Sequence, residues 1–202
     1  SPQVLLIGGS SHTGKSALAQ AVASRTGWEC RSTDKLAKHP GRPWETPPRA
    51  VAPHVAEHYL SLSPEQLLAD VVRHYTAKVW PLVGQVISDP PNAGLVLEGS
   101  AVLPELAAAL PRHRAAAIWL TAEDSLFERR IRAASNYEEK SDREREMIDK
   151  FIQRTVLFDE RMMDEVRRHG LTALEVGETD MEQLAEFCLE MTTTQPNLKT
   201  GD

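Results

Sequence analysis

Apolar positions along this chain follow two rhythms: short unbroken runs, and longer stretches in which they recur every three or four residues. The runs Val4-Leu5-Leu6-Ile7, Gly94-Leu95-Val96-Leu97 and Ala115 to Leu120 have the continuous apolarity of strands buried on both faces. With two weaker runs they predict strands over 3–7, 28–32, 94–98, 115–120 and 171–176. Between the first two, Leu18 and Val22 among the alanines at 17, 19, 21 and 23 predict a helix over 14–26, ended by Gly27. A Pro-rich loop follows to about residue 53. Ser63-Pro64-Glu65-Gln66 then reads as a capping box with proline at the first helical position, opening a helix to about Ser88 that kinks near Pro81. A short helix over 104–110, a helix capped by Thr121, a long helix ending near His169 and a last helix over 181–191 complete the pattern. Strands alternating with helices imply parallel βαβ units and an open sheet, whose ligands gather at the carboxyl ends of its strands.

Residues 135–146 are polar and dense in both signs, which suits either a solvated helical face or a mobile lid over about 133–147. The tail beyond Thr192 carries few order-promoting residues and is expected to be loose. At 202 residues the chain fits a single domain over 1–192, with an insertion over about 35–92. A start at Ser1 rather than Met is what a processed or a trimmed chain would show, and a short missing leader is compatible with either. The formal net charge of -6 makes nucleic acid an unexpected partner. No stretch reaches the ~20 apolar residues of a membrane span, and homodimer formation stays open. Cys30 and Cys188 lie far apart, have no metal-ligand spacing and read as small core residues, so a reduced cytoplasmic setting is expected.

The strongest chemical signal is Gly9-Ser10-Ser11-His12-Thr13-Gly14-Lys15-Ser16, which has the G-x-x-x-x-G-K-S spacing of a phosphate-binding loop. It stands where that motif must stand, after a strand and before a helix. Its backbone N–H groups, through Ala17, would cradle phosphates at the positive end of the helix dipole. Lys15 would reach the β- and γ-phosphates and Ser16 would hold Mg²⁺. The ring of His12 is expected to matter less than its backbone. Asp34 follows the second strand and suits a carboxylate that takes the proton of an attacking hydroxyl, with capping of a turn as its alternative role. Glu98 ends the third strand, where a carboxylate would hold Mg²⁺ or substrate hydroxyls.

Arg129 and Arg132 lie three apart on the helix after the fourth strand, placed to stack on a base or neutralise a transferring phosphoryl group. Arg130, Arg143, Arg145 and Arg154 are further candidates for that duty. Lys35, Arg42 and Arg49 after the second strand suit an anionic acceptor. Tyr75 and Trp80 read as core, and His39, His54, His58 and His74 show no shared metal spacing.

With the phosphate loop, Asp34 and Glu98 in place, the chain resembles the small P-loop kinases: nucleoside monophosphate, shikimate and gluconate kinases, chloramphenicol phosphotransferase and zeta-toxin-like enzymes. The run Ile7-Gly8-Gly9-Ser10-Ser11 also looks like that of bacterial 2-phosphoglycerate-kinase-like proteins, and Ser32-Thr33-Asp34-Lys35-Leu36 like the segment holding the substrate-activating aspartate. The resemblance implies a three-layer α/β P-loop fold and a five-stranded parallel sheet in the order 2-3-1-4-5. It also implies a helical acceptor-binding insertion, a lid after strand four, and a turn at Gly177 flanking the adenine. The absence of an Asn/Thr-Lys-x-Asp guanine motif favours ATP, and the lack of an arginine pair at the spacing typical of monophosphate recognition argues against a nucleoside monophosphate acceptor. The resulting expectation is transfer of the γ-phosphoryl group of ATP, with Mg²⁺, to a hydroxyl of a small molecule. A polynucleotide or RNA kinase and a non-catalytic ATP-binding regulator are the alternatives.

Overall fold

A computed structural model describes residues 2–37, 39–46, 50–177 and 180–193. Strand β1 (Val4–Gly9) runs into the phosphate loop and helix α1 (Lys15–Thr26), then β2 (Glu29–Ser32). Helices α2 (Pro53–Ser61), α3 (Pro64–His74) and α4 (Trp80–Ser88) lead to β3 (Leu95–Glu98). A helical turn α5 (Pro104–Ala107) precedes β4 (Ala115–Thr121), followed by α6 (Asp124–Ser135) and α7 (Asp142–Arg168). Strand β5 (Ala173–Glu175) and helix α8 (Met181–Thr193) close the order.

The five strands are all parallel, in the order β2-β3-β1-β4-β5. Alternation within β1 explains why both faces are apolar: Leu5 and Ile7 pack into one core and Val4 and Leu6 into the other. Register aligns Ile7 and Ser32 with Glu98, so the loops leaving β1, β2 and β3 open along one edge. That edge is where an open α/β sheet collects its ligands. Among the described residues no helix is long and apolar enough to cross a membrane.

Three details differ from the sequence expectation. Helix α2 occupies a stretch in which no helix was expected; Pro53 sits at its first turn, and only Val55 and Tyr59 of its residues are buried. The expected kink at Pro81 is a π turn over Tyr75–Val79, in which Trp80 N–H reaches back to Tyr75 O. A proline has no N–H to offer and its ring crowds the preceding turn, so one widened turn ahead of it relieves both problems. Thr121 does not cap α6; its hydroxyl donates to Asp159 Oδ2 at 2.6 Å, and Glu123 holds the cap position without a side-chain bond. The polar segment after α6 is a 3-10 turn at Tyr137–Glu139 and then α7, opened by a Ser141/Glu144 capping box. Tyr137 anchors that turn, donating to Asp149 Oδ2 at 2.9 Å under the guanidinium groups of Arg132 and Arg145. The tail beyond Thr193 lies outside the described residues.

Candidate active site

The loop Gly9 to Ser16 wraps the amino end of α1 through positive-φ backbone at Gly9, His12 and Gly14. At Gly9 a side chain is excluded twice over, because a Cβ there would lie 2.6 Å from Leu120 O. Thr13 and Lys15 both donate to Ser10 O, at 3.0 and 2.6 Å, and Ser10 Oγ donates to Thr155 O of α7 at 2.8 Å. Burial lowers the Lys15 ammonium from 10.5 to about 8; Glu98 and then Asp34 oppose that shift, while Arg42 adds to it. The His12 ring has a structural task as well, packing near Trp44 and Phe151 with Nδ1 2.8 Å from Ser11 Oγ. Burial, with Arg42, Lys15 and Arg130 nearby, brings its pKa down to about 4, so the imidazole stays neutral at physiological pH.

Ser16 and Glu98 meet at the mouth of the loop, the hydroxyl donating to Glu98 Oε1 at 3.2 Å. Glu98 is buried and Ala17 is exposed on the first turn of α1. Two hard oxygen donors side by side at the end of a phosphate loop fit the preference of Mg²⁺ for oxygen. Close by, Gly99 (φ 149°) lets β3 leave the sheet beside Thr33: a Cβ there would fall 1.8 Å from Thr33 Oγ1.

Asp34 sits in a 3-10 turn, and the cap of that turn is Ser32, whose hydroxyl accepts from Asp34 N–H at 3.3 Å. Its side chain lines a cavity of about 230 Å³ floored by Ser10 and Ser11 and walled by Arg42, Tyr75, Phe151 and Arg154. The cavity therefore joins the carboxylate, two guanidinium groups and the phosphate loop. Arg154 is itself buried, donating to Tyr59 Oη at 3.0 Å with its guanidinium 4.6 Å from the Phe151 ring. Tyr59 in turn donates to Gly41 O at 2.6 Å, fixing the loop that presents Arg42 over Trp44.

The remaining expected residues are spread more widely. Lys35 is exposed and is not among the residues around the cavity, and Arg49 lies outside the described residues. Arg129 and Gly177 line one small crevice together, with Glu175 and Val176, while Glu178 and Thr179 of the same turn are outside the described residues. Arg132 is turned away from the loop, paired with Glu128 at 2.9 Å and stacked on Tyr137. The arginine of α6 that does reach the loop is Arg130, which donates to His12 O at 2.8 Å. Tyr75, read as core from its helical spacing, packs against the core beside Phe158 and also lines the cavity. The histidines do converge despite their irregular spacing: His39, His58 and Asp70 bring one ligand atom each within 4.8 Å of one another.

No protein-family model and no curated protein matches the chain. Solved structures do resemble it. A gluconokinase from Sinorhizobium meliloti 1021 is 17% identical, with 94% of this chain and 91% of that one covered and a TM-score of 0.52. A sugar kinase from Janibacter sp. HTCC2649 is 14% identical over 95% of both chains, with a TM-score of 0.51. A deoxyadenosine kinase from M. mycoides with bound dATP is 12% identical over 95% of this chain and 100% of its own, also with a TM-score of 0.51. At such low identity the likeness speaks for the fold alone, and the five-stranded parallel α/β architecture of this chain is the one it shares with these three kinase structures.

Proposed function

We propose that the protein is a phosphotransferase that moves the γ-phosphoryl group of ATP, with Mg²⁺, to a hydroxyl of a small anionic molecule. One observation carries this reading: Asp34, Arg42 and Arg154 share a single cavity with Ser10 and Ser11 of the phosphate loop. Its volume of about 230 Å³ favours a small metabolite over a polymer. The two guanidinium groups suit a carboxylate or phosphate on the acceptor, and the carboxylate suits its hydroxyl.

The acceptor oxygen would form the new bond to phosphorus as the bond from phosphorus to the bridging oxygen of ADP breaks. Asp34 would accept the hydroxyl proton. Lys15 and the loop amides would hold the phosphates, and Arg130 keeps the loop in shape through His12 O. Ser16 and Glu98 would hold Mg²⁺, which when bound neutralises charge on the phosphate oxygens.

The test is ATP consumption by the purified protein against a pooled library of sugars, nucleosides, phosphorylated metabolites and antibiotics, with products read by mass. A product heavier by one phosphoryl group, absent with Lys15→Ala, is the expected result. ATP binding without transfer to any member would favour a nucleotide-gated regulator instead.

A further inference from the structure

Outside the phosphate machinery, the most unusual polar grouping is a knot of histidines between α2, α3 and the loop before residue 46. His39 comes from the loop, His58 from α2, and Asp70 and His74 from successive turns of α3. Asp70 uses Oδ1 to accept from Arg73, leaving Oδ2 3.8 Å from His39 Nε2 and 3.7 Å from His58 Nε2. Those separations are too long for hydrogen bonds. They are close to the ~3.4 Å that separates two ligands of one tetrahedral ion with bonds of about 2.1 Å.

Both of these Nε2 atoms are buried and lack a hydrogen-bond partner, as does His74 Nε2. Leaving the His39 and His58 nitrogens unsatisfied beside one carboxylate oxygen is costly, and that cost disappears if a cation sits between them. The ring of His74 packs 5.0 Å from that of His39, backing it rather than joining the three converging atoms.

We propose that His39, His58 and Asp70 form a binding site for a divalent transition metal of the Zn²⁺ class. Two imidazoles and one carboxylate are the donors such ions take, whereas Mg²⁺ selects oxygen, so this site is chemically separate from Ser16 and Glu98. Three protein ligands leave a fourth position for water or a ligand atom. Arg73 serves as the outer-shell partner of the carboxylate. Ligation through Nε2 places the His39 proton on Nδ1, so the long 3.4 Å contact from Gly41 N–H to that nitrogen is given up. The ion staples the loop that carries Arg42 to α2 and α3, and because His39 lines the central cavity, it stiffens that cavity's wall. The site requires nothing of the phosphotransfer chemistry.

The experiment is titration of metal-free protein with Co²⁺, followed by its visible absorption, and with Zn²⁺, followed by mass of the native ion and by thermal melting. One equivalent bound, with the intense bands of four-coordinate Co²⁺ and a Zn²⁺-dependent rise in melting temperature, is expected. His58→Ala and Asp70→Asn should weaken binding by more than the roughly 10–100-fold that loss of an outer-shell partner costs. His54→Ala and Glu98→Gln should bind as the parent does. Should a variant fail to fold, X-ray absorption on the Zn²⁺-loaded parent counts ligands directly, with two imidazoles expected. Absence of saturable binding, unchanged affinity in folded His58→Ala and Asp70→Asn, or a metal without imidazole ligands overturns the proposal.

Discussion

Ser16 Oγ donates to Glu98 Oε1 at 3.2 Å, joining the first turn of α1 to the last residue of β3 across 82 positions of sequence. The contact sets a hydroxyl and a carboxylate side by side at the mouth of the phosphate loop. Glu98→Gln keeps the shape and the hydrogen bond but removes the charge. The Mg²⁺ concentration needed for half-maximal turnover is expected to rise by at least the roughly 10- to 100-fold that loss of an outer-shell partner costs, with the melting temperature little changed. Turnover measured against Mg²⁺ concentration checks it, and an unchanged requirement would assign Glu98 to acceptor hydroxyls.

Lys15 places function against stability. Its pKa falls to about 8 in the folded chain, chiefly through burial, against 10.5 for an ordinary lysine. Below pH 8 the side chain is charged in both states and the folded state bears the whole burial cost. Between pH 8 and 10.5 the unfolded chain holds the extra proton, so stability rises with pH across that window. Lys15→Met should therefore melt higher than the parent at pH 7 without nucleotide, by on the order of 1–3 kcal/mol, with the gap closing toward pH 10. It should also lose turnover. Denaturation curves at the two pH values decide the matter.

Asp34→Asn removes the proposed proton acceptor while keeping a side chain of the same size in the cavity. Since Ser32 provides the cap of its turn, the fold should not respond. Turnover is expected to fall about 100- to 10,000-fold with the KM for ATP nearly constant. A rate equal to the parent's would remove Asp34 from the chemistry.

Tyr59→Phe deletes one hydroxyl that links Arg154 to Gly41. A buried guanidinium and a loop carbonyl each lose a partner, which should cost about 1–3 kcal/mol in urea denaturation. The acceptor KM should rise more than the ATP KM, because the same link positions the Arg42 loop. Equal changes in both would mean that the link serves the fold alone.

Much of the architecture was legible because its signals are local. The apolar run of β1, the glycine-bearing loop and the alanine-rich α1 adjoin one another, and Ser63 to Gln66 spells out the start of α3. Helix α2 was obscured because only two of its residues are buried and a Pro-rich stretch precedes it. Arg154 lies on a long helix crowded with charge, where spacing alone does not distinguish a buried guanidinium from a solvated one. The choice between Arg130 and Arg132 depends on the direction α6 takes relative to the loop. The histidine knot is assembled from a loop and two helices, and no spacing along the chain announces it.

The π turn at Tyr75–Val79 makes the cavity sensitive to chain length as well as to side-chain identity. A π turn holds one residue more than an α turn, so deleting one residue there would close it to a plain α-helix and leave the helix before and after it in register. Val71 would keep its place on the cavity wall and Val83 and Ile87 theirs in the core, while the change would fall on the turn itself, whose Tyr75 and Val79 line the cavity. A single-codon deletion in this turn is thus a route by which a relative could acquire a different acceptor while keeping its phosphate loop intact.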